Sequence, residues 1–113
     1  MKREQRLRSP ADFRRVRSAA TRGWPHPLLV MYAAPNELAR TRVGITVSGR
    51  VGNAVVRNRV RRRLREALSS RFDRLPLNSD VVVSARPASA RASWAELNTA
   101  IDSVLARAET RRA

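Results

Sequence analysis

Between Gly52 and Leu68 the chain reads GNAVVRNRVRRRLREAL, and this stretch constrains the fold more than any other. Val56, Val60, Leu64, Ala67 and Leu68 recur at spacings of three and four, the period of one helix face. Asn53 stands where its side chain can accept from a free backbone N–H of the first turn. The reading is one amphipathic helix, whose apolar seam must be covered by other elements of the fold.

The remaining faces of that helix are cationic. Arginines stand at 57, 59, 61, 62, 63 and 65, with no acidic residue before Glu66. Cations near a helix N-terminus oppose the macrodipole by about 0.3–1 kcal/mol each, and Arg57, Arg61 and Arg65 repel along one column. A solvated basic face is the plain alternative. The absence of interleaved carboxylates favours an external polyanion that offsets the repulsion.

The whole chain agrees with that sign. Its net charge is +15, and every basic residue except Lys2 is arginine, whose planar fork pairs with phosphate and stacks on bases. Residues 1–74 hold 19 basic and 5 acidic side chains, against 5 and 4 in residues 75–113. The basic footprint therefore belongs to the first two-thirds of the chain. The 113 residues suit one domain, 1–113. There is no cysteine, hence no disulfide and no thiolate metal site. No apolar run approaches the ~20 residues of a membrane span, and no signal-peptide core is present, so the expected location is the cytoplasm.

Taken in order, Met1 to Arg8 reads as a mobile basic arm. Ser9, Pro10 and Asp12 read as a cap, a first helical residue and a capping-box acid, starting a helix that runs to about Ala20 and is closed by Gly23. Phe13 on that helix is a core anchor or a base-stacking residue. Trp24-Pro25-His26-Pro27 is non-helical. Leu28–Ala33 and Arg42–Ser48 read as strands that pair as an antiparallel hairpin. Ser48-Gly49-Arg50-Val51-Gly52 leads into the arginine helix, and Phe72 and Leu75 close its far end. Asp80–Ala85 is a continuous β-branched run typical of a buried strand. Ser93 and Glu96 form a second capping box, opening a helix striped by Trp94, Leu97, Ile101, Val104 and Leu105. Its other face, with Asn98, Asp102 and Arg107, reads as solvent surface. The order helix, strand, strand, helix, strand, helix predicts an α+β domain with a small sheet covered by helices, and a βαβ crossover around the arginine helix.

Catalytic groups are missing from this pattern. The single histidine, His26, lies between prolines, and the nine acids are scattered without metal-ligand spacing. No catalytic residue and no metal ligand is assigned; binding is the stronger class.

These residues carry a family resemblance. Val43 to Ser48, then Arg50-Val-Gly-Asn-Ala-Val-Val-Arg-Asn-Arg59, then Arg62, Leu64 and Arg65, resemble the signature of the protein subunit of bacterial ribonuclease P. Leu7-Arg8 with Asp12-Phe13, Leu28 to Tyr32, and Asp80 to Arg86 with Ala88 extend the similarity over about residues 6–108. The resemblance implies a two-layer α/β sandwich of order αβββαβα, with a mostly antiparallel sheet and a left-handed crossover. It implies a subunit that performs no chemistry itself. Its partners would be a catalytic RNA, which holds the magnesium ions, and precursor tRNA, whose 5′ leader the holoenzyme removes; no membrane and no obligate protein partner are implied.

Carried over by position, Arg50, Asn53, Arg57, Asn58, Arg59, Arg61, Arg62 and Arg65 would contact RNA, arginines on phosphates and asparagines on sugar or phosphate oxygens. Phe13, Arg17 and Tyr32 would line the leader cleft, where aromatic stacking is worth about 1–3 kcal/mol per base. Arg17 replaces a second aromatic common in the family, and Gly49 replaces a common cation. A ribosomal or ribosome-assembly protein fits composition and charge equally well but not the Asn-Ala-Val and Arg-Asn-Arg spacing. A protein-only nuclease lacks its carboxylate cluster, and a DNA-binding helix lacks a dimerising element.

Overall fold

The computed structural model describes residues 1–19 and 22–112. Its elements are α1 (Pro10–Ala19), β1 (Arg22–Pro25), β2 (Leu29–Pro35), β3 (Arg42–Thr46), α2 (Ala54–Ser69), β4 (Ser79–Ala85) and α3 (Trp94–Arg112). Short 3-10 turns lie at Arg3–Gln5, Phe72–Arg74 and Pro87–Arg91. Trp24 and Pro25, expected only to be non-helical, join Arg22 and Gly23, the latter expected to close the first helix, to form β1, which pairs with β2 around the His26-Pro27 turn. There the Leu28 N–H donates to His26 Nδ1 at 3.0 Å.

The sheet order is β1-β2-β4-β3. β2 and β4 are antiparallel, while β3 and β4 are parallel, joined across α2 as the crossover reading required. The expected β2–β3 hairpin does not form. β4 lies between the two strands instead, because Val81, Val82 and Val83 are all fully buried and only a central strand is covered on both faces.

One face of the sheet carries Leu29, Met31, Ala33, Val43, Val81 and Val83 into the main core. The seam of α2 (Val60, Leu64, Ala67, Leu68) and that of α3 (Leu97, Ala100, Ile101, Val104, Leu105, Ala108) close over it. Each fully buried leucine or valine there contributes about 1.5–3 kcal/mol. Trp94, expected in the stripe, is 41% exposed at the start of α3. Asp102, expected to face solvent, receives Arg71 at 2.6 Å and Arg74 at 2.9 Å, so it fastens α3 to the far end of α2.

The opposite face is only partly covered. Leu7, Val16, Ala34 and Val82 form a small cluster there, with Phe13 and Tyr32 against it. The expected basic arm is therefore anchored by Leu7, which is 4% exposed and donates its N–H to the Val43 carbonyl at 2.8 Å. Among the described residues no helix is long and apolar enough to cross a membrane.

Candidate nucleic-acid interface

α2 begins where Asn53 accepts a hydrogen bond from the Val56 N–H at 3.0 Å. With the seam turned inward, helix geometry sorts the polar residues into three columns. Asn58 and Arg62 point outward and are exposed. Arg57, Arg61 and Arg65 lie half-buried on one flank, and Arg59 and Arg63 on the other.

The second flank is occupied. Arg59 donates to the Ala90 carbonyl at 3.0 Å, and Arg63 donates to the Ala92 carbonyl at 3.3 Å. These bonds tie α2 to the turn before α3. Arg59 thus stands on the flank that faces this turn, and its Nε is buried without a hydrogen-bond partner. Arg57 Nε is buried in the same way. Arg61 donates to Asn58 Oδ1 at 2.9 Å, bridging the outward column and the first flank. Arg50 is exposed in the turn before the helix.

The first flank opens into a groove of about 340 Å³ lined by Arg6, Leu7, Arg8, Phe13, Gly44, Arg61 and Arg65, among others. Burial and the charges of Arg6 and Arg61 lower the pKa of Arg65. Such crowding of like charge raises the affinity of the groove for an anion. Sequence reasoning missed Arg6 and Arg8. The available signal was Leu7, one apolar residue between two arginines, which extended backbone buries while turning its neighbours out.

Phe13 joins this groove to the open sheet face. Register places Gly23, Tyr32, Val82 and Gly44 in one row across the four strands. Phe13 lies over Gly44, and Tyr32 lies beside Gly23, where a Cβ would stand 3.2 Å from its Cε1. Two glycines thus make room for two half-buried aromatics, and Val82 beneath them is fully covered. The half-buried Thr46 and Ser84, hydrogen-bonded at 2.7 Å, form a polar row beside them. Arg17, one helical turn after Phe13, is exposed.

A buried carboxylate fixes α1 over this face. Asp80 is fully buried and accepts from Arg42 Nε at 2.9 Å, from Arg42 Nη2 at 2.8 Å, from Asn36 at 2.8 Å and from Arg15 of α1. Burial alone would raise its pKa. The bonds from Arg42 and Asn36 and the charges of Arg42 and Arg15 outweigh that and hold it below the ordinary carboxylate range. Asp12, expected to close a capping box, faces Arg42 at 3.6 Å and Arg15 at 3.9 Å. Among the described residues no three His, Cys, Asp or Glu gather where they could hold a metal ion.

This surface suits a single polyanionic strand: cations line its walls, and half-buried aromatic rings stand beside a row of hydroxyls. A duplex needs no such ring-lined groove.

Comparison with known proteins places the chain. Residues 1–109 match the family model described as Ribonuclease P. A ribonuclease P protein component from Herpetosiphon aurantiacus is 43% identical over 109 residues, 96% of this chain and 88% of its own. One from Acidothermus cellulolyticus is 41% identical, covering 90% of this chain and 86% of its own. The solved ribonuclease P protein of Staphylococcus aureus superposes with a TM-score of 0.84 at 30% identity, covering 92% of this chain and 94% of its own.

Proposed function

This chain belongs to the ribonuclease P protein family, the protein subunit of the tRNA-processing ribonuclease P, and on that premise we propose how its surfaces divide the work. The outward side of α2, with Arg50, Asn53, Arg57, Asn58, Arg61, Arg62 and Arg65, binds the catalytic RNA, Arg61 and Arg65 forming the edge it shares with the leader groove. The open sheet face, with Phe13, Arg17 and Tyr32, holds the single-stranded 5′ leader of precursor tRNA. Arg59, assigned to the RNA face by position, also braces α2 against the Ala90 carbonyl, so its share in RNA binding is smaller.

The observation that carries this reading is the row Gly23, Tyr32, Val82, Gly44, which seats two aromatic rings on a sheet face that α1 leaves half open. A face meant only for packing would bury its rings. The strand lies against Phe13 of α1, seated over Gly44 of β3, and against Tyr32 of β2; β2 and β3 stand roughly 10 Å apart with β4 between them. Arg17 meets its phosphates.

Hydrolysis belongs to the RNA and its magnesium ions. Two of the nine carboxylates, Asp80 and Asp102, serve the fold, each engaged by arginines. The subunit works in the cytoplasm, where precursor tRNA is made, as one domain with no obligate protein partner.

The test compares binding of precursor tRNA with and without its leader by holoenzymes carrying wild-type, F13A or Y32A protein. The reading expects each variant to lose roughly five- to a hundredfold in affinity for the leader-bearing substrate, the worth of one stacked base, and little for mature tRNA. Equal losses on both substrates would contradict it.

A further inference from the structure

The first eight residues form a strap fixed at both ends and in the middle. The Met1 ammonium donates to Ser69 Oγ of α2 at 3.2 Å. Leu7 is plugged into the cluster beneath α1, and Arg6 bridges to Val43 as a parallel extension beside β3. From the other side Arg40 Nε donates to the Glu4 carbonyl at 3.0 Å.

The strap separates two grooves. One is the Phe13 groove already described, with Arg61 and Arg65 on its far wall. The other, of about 370 Å³, is lined by Arg3, Glu4, Arg6, Arg8, Arg40 and Arg42. Arg6 and Arg8 line both. Arg42 is neutralised by Asp80, but none of Arg3, Arg6, Arg8 and Arg40 has a carboxylate within ion-pair range among the described residues. Their backbone is held while their charges are left unmatched. That is the arrangement of a preorganised anion site, in which the ordering entropy is already met by Leu7.

We propose that the strap is a second phosphate-binding element: Arg3, Arg6, Arg8 and Arg40 grip the backbone of the same single RNA strand that lies against Phe13. The proposal rests on the reading of the Phe13 groove as the leader site and deepens it. Phe13 seats a base, and the strand leaves the groove over Arg6 and Arg8 toward Arg3 and Arg40. Stacking and phosphate contacts thus fall on successive parts of one leader, and the strap contributes only when the leader is long enough to reach it. No base edge is read by these arginines, so the contribution is independent of leader sequence.

The test uses holoenzyme assembled with wild-type, R6Q/R8Q, R6K/R8K or F13A protein. Binding is measured across a series of KCl concentrations, to precursor with a full leader and to precursor trimmed to a single leader nucleotide. For the full leader, R6Q/R8Q should bind roughly tenfold more weakly, with a salt slope lower by about 1.4, two phosphate contacts at about 0.7 each. Its binding to trimmed precursor and to the catalytic RNA should stay within about twofold of wild type, and R6K/R8K should recover the slope. Equal loss on trimmed precursor or on the catalytic RNA, or no loss on the full leader, would overturn the proposal. If wild-type protein does not favour the full leader, or F13A favours it as strongly as wild type does, the leader reading itself fails. If F13A loses that preference while R6Q/R8Q behaves as wild type, only the strap proposal fails.

Discussion

The Phe13 ring occupies the space where Gly44 would carry a side chain, so a residue of α1 and a residue of β3 together set one wall of the groove proposed to hold the leader. A methyl at position 44 overlaps the ring and must displace it. G44A is therefore expected to cost about 1–3 kcal/mol, the usual penalty of overpacking. It should also weaken binding of leader-bearing precursor more than binding of mature tRNA. Thermal unfolding and paired affinity measurements check the two effects separately.

Arg15 and Asp80 connect the same helix to β4. Replacing Asp80 by Asn leaves Arg42 facing a neutral group in a buried site and should destabilise by about 3 kcal/mol, the low end for a broken buried pair, since Arg15 is partly solvated. The sign with pH follows from the lowered native pKa. Asp80's contribution is complete above its ordinary value of 3.8 and is lost as pH falls below that value through the native one. D80N should flatten the acid limb of the stability profile below about pH 4, read by urea unfolding at stepped pH. A parallel limb would contradict the assignment.

Asn53 caps α2 and stands on the side proposed to bind RNA, and two substitutions separate the roles. N53A removes the cap and should cost about 1 kcal/mol. N53D keeps an acceptor for the Val56 N–H and favours the helix dipole, so its Tm should match or exceed wild type. A carboxylate on the RNA face should nevertheless weaken binding to the catalytic RNA. Equal affinity for N53D and wild type would remove Asn53 from the interface.

Arg59 and Arg62 should behave differently although three positions apart on one helix. R62A, on the exposed column, should weaken binding to any RNA sequence and lower the salt slope by about one unit. R59A loses its bond to the Ala90 carbonyl and should lower stability by about 1 kcal/mol, with a smaller change in slope. Salt titrations of both variants, beside their unfolding curves, decide the matter.

The sequence made local devices legible. Asn53 as a cap, the Ser93–Glu96 box and the seam Val60, Leu64, Ala67, Leu68 are written in neighbouring residues, and the structure contains each. The β-branched run at Val81–Val83 announced a buried strand, yet not that it would separate β2 from β3, because sheet order depends on pairings distant in sequence. Leu7 carries no periodicity among charged neighbours, which hid the strap. Arg59 looked like its neighbours until the turn at Ala90 supplied an acceptor that no local pattern encodes. The arginine face of α2 was readable, whereas the glycines that seat Phe13 and Tyr32 and the Asp80 lock that holds α1 required the tertiary structure.

The central claim is that this chain assists a catalytic RNA in removing the 5′ leader. Its most direct test is precursor tRNA cleavage at low magnesium with the bacterial ribonuclease P RNA alone, the protein alone, and both together. Cleavage that is absent with the protein alone, weak with the RNA alone and strongly raised with both is the predicted result. Cleavage by the RNA unchanged on adding the protein, or cleavage by the protein without RNA, would contradict the account.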